Sequence, residues 1–292
     1  MTPAPSVIVF STLSGLGFGF LALLGLGLVP GAGWAAFFHW GFGYGLAVTG
    51  LVASTFHLGH PERAWRAFSQ WRSSWLSREG VAAVATLLVF APQALSDWLN
   101  LGLGRSFGTV GAVWAMATVL CTAMIYAQLK TVPRWHHWTT PALYLGFAVT
   151  GGAILAGFGP LVAVLCLGLG LVMLAHWQRG DGAFAGAGLT LASATGLAAL
   201  GTPRVFDPAH TAGNYLLSEM IFVVGRRHLR RLRVLALLFA ALLPAIAALV
   251  LPPLPALTLG GLAHLVGALA QRWLFFAEAE HVVGLYYGKH AN

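Results

Sequence analysis

Two side chains suited to moving protons near neutral pH stand at the ends of long apolar runs: His57 and Glu79. An imidazole titrates close to physiological pH and can donate or accept. A carboxyl group gives or takes a proton when it is held against a reacting atom. A carboxylate at membrane depth is expensive and by default marks a functional site with a partner. A plainer account is also open for Glu79: it opens an apolar run, and the N-terminal end of a helix dipole favours a negative charge. The two residues alone leave both accounts standing.

The stretch between them, HLGHPERAWRAFSQWRSSWLSRE, has its own pattern. Pro61 suits the first turn of a helix. From there Trp65, Phe68, Trp71, Trp75 and Leu76 recur at helical period, with Arg63, Arg66, Gln70 and Ser73 on the other face. This predicts an amphipathic helix in the membrane interface, with its indoles at headgroup level. A second stretch, Thr211–Met220, is followed by a basic run from Gly225 to Arg233. That run suits anionic headgroups or an acidic partner subunit. Facing histidines could ligate a haem, and His57 with His176 or His39 with His264 lie at comparable depths. Nothing in their spacing forces either pair together. The chain has no C-x-x-C-H, no H-E-x-x-H and no cysteine cluster, so no metal site is expected. Cys121 and Cys166 read as small apolar core residues. Gly41-Phe-Gly-Tyr-Gly45 lacks the strand and acidic residue of a dinucleotide fingerprint, and reads as a close helix contact.

The elements that must position these groups follow from hydropathy. Of 292 residues, 58% are hydrophobic and 8% charged. The apolar runs are long enough to cross a hydrocarbon core of about 30 Å, and lipid offers no hydrogen-bond partner, so they must be helices. Eight spans are expected, at about 6–29, 36–59, 81–100, 109–129, 141–158, 160–177, 232–251 and 256–280, in one membrane domain over 1–292. Met1–Pro5 has no basic region, so the first span is expected to be retained. With the N-terminus inside, fourteen of the sixteen Lys and Arg residues fall on the inner side, Arg105 falls outside, and Arg272 lies within the last span. The positive-inside rule then predicts both termini inside. Gly182–Leu200 is uncharged but poor in large apolar residues. As a ninth span it would put six arginines outside, so a packed or interfacial segment is expected. The basic balance belongs to topology and lipid, and no nucleic-acid motif is present.

At Ser11-Thr-Leu-Ser14, His57-Leu-Gly-His-Pro61, Ser74-Trp-Leu-Ser-Arg-Glu79 and Asn214-Tyr-Leu-Leu-Ser-Glu-Met220 the chain resembles the membrane anchor subunits of the dimethyl sulfoxide reductase type, the DmsC family. The closing Arg272–His281 stretch is more like the branch that anchors sulfite-oxidising enzymes. The resemblance implies an eight-helix anchor in the bacterial inner membrane, bound to an iron–sulfur subunit and a molybdopterin catalytic subunit. It implies electron exchange with membrane quinone, either ubiquinone or menaquinone, and no haem. The family's quinone-site histidine and glutamate correspond to His57 and Glu79, with His60, Trp75 and Arg78 as further candidates for lining that site. His60 departs from the family, which commonly has a small or polar residue there. Two other classes remain, a haem-bearing cytochrome b-like anchor and a small-solute transporter; the latter expects polar groups near the midplane, for which His264 and Arg272 are the candidates.

Overall fold

In a computed structural model, which describes residues 2–57, 60–204, 206 and 228–287, the chain is a bundle of helices. They are α1 (Pro5–Gly25), α2 (Trp34–Ala53), α3 (Trp75–Leu99), α4 (Ser106–Ala127), α5 (Thr139–Leu155), α6 (Pro160–Gly186), the short α7 (Leu191–Thr195), α8 (Leu229–Val250) and α9 (Pro253–Ala277). Among the described residues no strand occurs. Seven helices are long and apolar enough to cross a membrane; α5, with 17 residues, is apolar but shorter. A tight hairpin joins α5 and α6, turning on Gly157 and Gly159, whose φ values of 71° and 54° suit glycine.

Helix α1 is the centre of the bundle, and its small residues explain why. A Cβ on Gly19 would overlap the Ala148 carbonyl of α5, and one on Gly108 of α4 would overlap the Gly25 carbonyl. Gly50 of α2 lies equally close to the backbone of Ser14. Small residues let helix backbones meet, and van der Waals contact then replaces the hydrophobic drive that lipid does not supply.

Polar side chains pin the bundle at its two ends. At one end Asp97 accepts from Trp40 Nε1 (3.1 Å), Gln93 Nε2 (3.0 Å) and Arg105 Nη1 (2.9 Å), joining α2, α3 and the start of α4. At the other, Arg134 binds Asp181 (2.8 Å) and Glu278 (3.1 Å), and Arg233 binds the same two carboxylates. This cluster ties the α4–α5 loop, α6, α8 and the end of α9 together. It also explains why α6 runs on to Gly186 rather than stopping near 177: Asp181 is neutralised by arginines from two neighbours. Helix α8 contains a π-helical stretch, Leu238–Leu242, against which Gly267 of α9 packs backbone to backbone. The Ala240 carbonyl there accepts from His264 Nδ1 at 2.7 Å.

Three expectations change. The third helix starts at Trp75, not near 81, because Ser74 accepts from the Ser77 N–H and caps it. The interfacial helix is therefore shorter: a 3₁₀ helix over Pro61–Phe68, strongly two-faced, with turns through Ser73 before α3. Trp65 stays exposed, while Phe68 packs against Gly80. Gly182–Leu200 is split between the end of α6, the short α7 and a 3₁₀ turn, with no buried residue in the last two. Thr211–Met220 and Gly225–Arg227 of the basic run lie outside the described residues.

The close backbone seams set a test. Gly19→Leu should lower stability by about 2–3 kcal/mol or block folding, since overpacking forces backbones apart. Gly168→Ala, with open space around it, should be neutral or slightly stabilising. Thermal unfolding of the detergent-purified protein distinguishes the two; equal effects would mean that α1 and α5 do not touch there.

Candidate functional site

The N-terminal turns of α3 carry Glu79 into the bundle. Because α3 starts at Trp75, Glu79 lies one turn inside the helix, on its buried face, and only 4% of it is exposed. Its carboxylate Oε1 takes a very short hydrogen bond from the Thr122 hydroxyl of α4. The Thr118 carbonyl is also within reach of that hydroxyl, at 3.2 Å. One hydroxyl hydrogen cannot serve both acceptors. With Glu79 ionised, Thr122 donates to the carboxylate; with Glu79 protonated, Thr122 can turn to Thr118 and accept from the acid. The direction of this bond therefore follows the charge state of Glu79, while the contact itself persists in both.

Below this pair the core is polar and aromatic. Tyr126 of α4 and Tyr144 of α5 stack with ring centroids 5.9 Å apart, and both lie in electrostatic range of Glu79 and of Arg272 on α9. The Arg272 guanidinium sits 3.6 Å from the centre of the Tyr144 ring and is 2% exposed. A cation over an aromatic face is attracted by the ring quadrupole, and more strongly where water is excluded. A small cavity of about 10 Å³, room for one water, is lined by Ser11, Ser14, Thr122, Tyr144 and Arg272. Trp135, folded in from the α4–α5 loop, closes the cluster by donating to the Phe275 carbonyl at 2.9 Å.

The other candidates lie nearer the surface. The backbone of His57 closes a 3₁₀ turn, Ser54–His57, after α2; its side chain, with Leu58 and Gly59, lies outside the described part. His60 has a side chain 67% exposed and pairs through Nδ1 with Glu62 at 3.0 Å, not with Glu79. Arg78 reaches back to the Trp71 and Arg72 carbonyls at 3.0 and 2.6 Å, and stacks on Trp75 at 4.4 Å. It holds the 61–74 segment over the start of α3. His176 is buried, 3.1 Å from the Thr139 hydroxyl and stacked on Phe275. His39 lies edge-on to Phe20. Among the described residues no group of three or more His, Cys, Asp or Glu could hold a metal.

A roomier pocket lies at the opposite end of the bundle, lined by Ile154, Val162, Pro244, Leu251 and Leu257 among others. It holds no titratable side chain and cannot do acid–base work. Glu79 and its neighbours lie toward the other end, which gathers Arg63, Arg66, Arg72, Arg78, Lys130, Arg134, Arg179 and Arg233. Helix polarity and the ion pairs place these together, opposite Arg105.

The family model described as "DMSO reductase anchor subunit (DmsC)" matches residues 37–278. The chain belongs to this family. Among curated relatives, the C subunit of the sulfite dehydrogenase of Allochromatium vinosum is 32% identical, covering 98% of this chain and 99% of its own. The "Anaerobic dimethyl sulfoxide reductase chain YnfH" of Escherichia coli K12 is 30% identical over 46% of this chain and 52% of that protein. No solved structure matches. The DmsC match spans Glu79, Thr122, Tyr126, Tyr144 and Arg272.

Sequence reasoning singled out Glu79 and Arg272, but not Thr122 or the two tyrosines that the structure packs near them. A signal existed: Thr118 and Thr122 recur at i, i+4 in an otherwise apolar α4, facing Thr86 and Glu79 of α3. Such a seam can be tested by a double-mutant cycle. Thr122→Val should cost about 1–3 kcal/mol with Glu79 present, since a buried acceptor loses its donor. In a Glu79→Leu background the loss should be markedly smaller. Chemical unfolding in detergent measures both; strictly additive losses would mean the two groups are not bonded.

Proposed function

We propose that this DmsC-family protein is the membrane anchor of a molybdopterin and iron–sulfur oxidoreductase complex, and that it exchanges electrons between the iron–sulfur subunit and membrane quinone. The chain crosses the bacterial inner membrane eight times with both termini inside, and α5 supplies the shortest crossing. The observation that carries this reading is Glu79: a carboxyl group buried in the helix bundle, held by one hydroxyl, at the arginine-rich end of a chain in an anchor family.

Quinone reduction and quinol oxidation move protons together with electrons. The ring oxygens need a donor or acceptor near neutral pH, a role that falls to His57. A second titratable group must pass the proton on, and Glu79 fills that role. The quinone ring enters from the bilayer between the inner ends of α2 and α3, under the 61–74 segment, with Trp75 and Arg78 at its edge and His60 toward water. The basic residues at this end, which are electrostatically suited to an acidic partner, form the docking face for the iron–sulfur subunit. Near-complete mutual coverage with the sulfite dehydrogenase relative favours a cytoplasmic sulfite-oxidising partner that delivers electrons to ubiquinone or menaquinone.

In the assembled complex, His57→Ala and Glu79→Gln should each lower quinone-linked turnover by about 10²-fold or more, on the scale of a lost acid–base group. Co-purification of the soluble subunits and their turnover with an artificial electron carrier should be retained. Wild-type quinone turnover in both variants would overturn the assignment.

A further inference from the structure

Arg272 is a buried cation without a carboxylate. Among the described residues no acidic group lies within 4 Å of it. Of the five N–H donors of a guanidinium, one reaches Gln271 Oε1 at 3.3 Å, and no other acceptor among the described residues is bonded to it. The aromatic faces of Tyr144 (3.6 Å) and Phe147 (5.2 Å) stabilise the charge but accept none of its remaining N–H hydrogen bonds in the described structure. A buried charge left like this would cost several kcal/mol without further polar contacts.

The remaining polar groups around it suit water. Arg272 lines two small cavities, each of about 10 Å³. One is bounded by Ser11, Ser14, Thr122 and Tyr144, the other by Ser11, Thr12 and Phe147. Ser11 and Ser14 donate their hydrogens to the Val7 and Phe10 carbonyls of their own helix, which leaves oxygen lone pairs for an incoming donor. The buried Thr12 hydroxyl has no partner among the described residues. A water molecule needs two to four polar contacts and about this volume; both cavities offer them. The first cavity shares Thr122 with Glu79.

We propose that Arg272 orders water in these two cavities and, through that water and Thr122, stabilises the ionised form of Glu79. It is a positioning residue, acting on the proton carrier from the far side of Thr122. The inference rests on the proton role given to Glu79 above. The other titratable groups around Glu79 are Arg78 on its own helix, Cys121 and Tyr126 on α4, and Tyr144 on α5. Helix α1 contributes hydroxyls only, and Tyr44 of α2 is committed to the Leu87 carbonyl at 2.6 Å. Of the cations, Arg78 is turned toward the 71–72 carbonyls. Arg272 is therefore the cation that faces Thr122 across the shared cavity, and Thr122 is the hydroxyl that holds Glu79.

The test is infrared difference spectroscopy of the purified complex titrated with acid and base, with no quinone turnover involved. The Glu79 carboxyl stretch is identified by its loss in Glu79→Gln. In Arg272→Met its titration midpoint should rise by about one pH unit or more, because removing a cation disfavours the carboxylate. Arg272→Lys, which keeps the charge, should restore most of the shift. A water O–H band that moves in ¹⁸O water should be present in the wild type and lost in Arg272→Met. If Arg272→Met fails to assemble, Ser11→Val, which fills space in both cavities and leaves the guanidinium, should raise the midpoint in the same direction. An unchanged midpoint in the assembled variants, or a water band indifferent to Arg272, overturns the inference. Failure of the quinone assignment would appear elsewhere, as normal turnover in Glu79→Gln.

Discussion

Inside a bilayer, a charged or strongly polar side chain must find its solvent in the protein itself. Each polar group in the core of this bundle follows from that constraint. The carboxylates of Asp97, Asp181 and Glu278 are met by arginines or by ring and amide N–H groups. The hydroxyls of Ser11, Ser14 and Thr86 turn back onto carbonyls of their own helices. Glu79 and Arg272 are the exceptions, since each is fully buried and neither has a charged partner among the described residues. Both lie within electrostatic range of one tyrosine pair, and the cavity lined by Arg272 is also lined by Thr122, the residue that holds Glu79.

The contrast between two buried glutamates makes the same point. Glu278 is 2% exposed but is held by Arg134 and Arg233, so its role is structural. It fastens the ends of α8 and α9 to the α4–α5 loop. Glu79 is buried to a similar degree but has only a hydroxyl. A carboxyl group with a neutral partner can lose and regain a proton at modest cost, whereas one clamped by two guanidinium groups cannot. Burial alone would not tell these residues apart; the chemistry of the partner does.

Much of the architecture was legible in the sequence because lipid leaves few choices. Runs of apolar residues gave the positions of the seven long helices among the described residues. What was not legible depended on tertiary partners. Asp181 and Arg179 looked like loop residues because isolated charges end a hydrophobic run; ion pairs from Arg134 and Arg233 let α6 continue through them. Trp75 and Leu76 fit the period of the interfacial helix, but the cap at Ser74 starts α3 there and moves Glu79 from a helix terminus into the core. Among site residues, a lone carboxylate or arginine in an apolar run stands out, whereas Thr122, Tyr126 and Tyr144 are ordinary by type. Only the packing of α4, α5 and α9 around α1 gives them a shared purpose.

The glycine seams of α1 have a mechanical consequence. Where backbone atoms of two helices touch, neither can slide or rotate past the other without collision, and α1 is held in this way by α2, α4 and α5 at once. A bundle locked about its axis is poorly built for rocking between inward- and outward-open shapes. Freedom remains in smaller groups, such as the Thr122 hydroxyl with two acceptors in reach. The scaffold acts as a fixed socket.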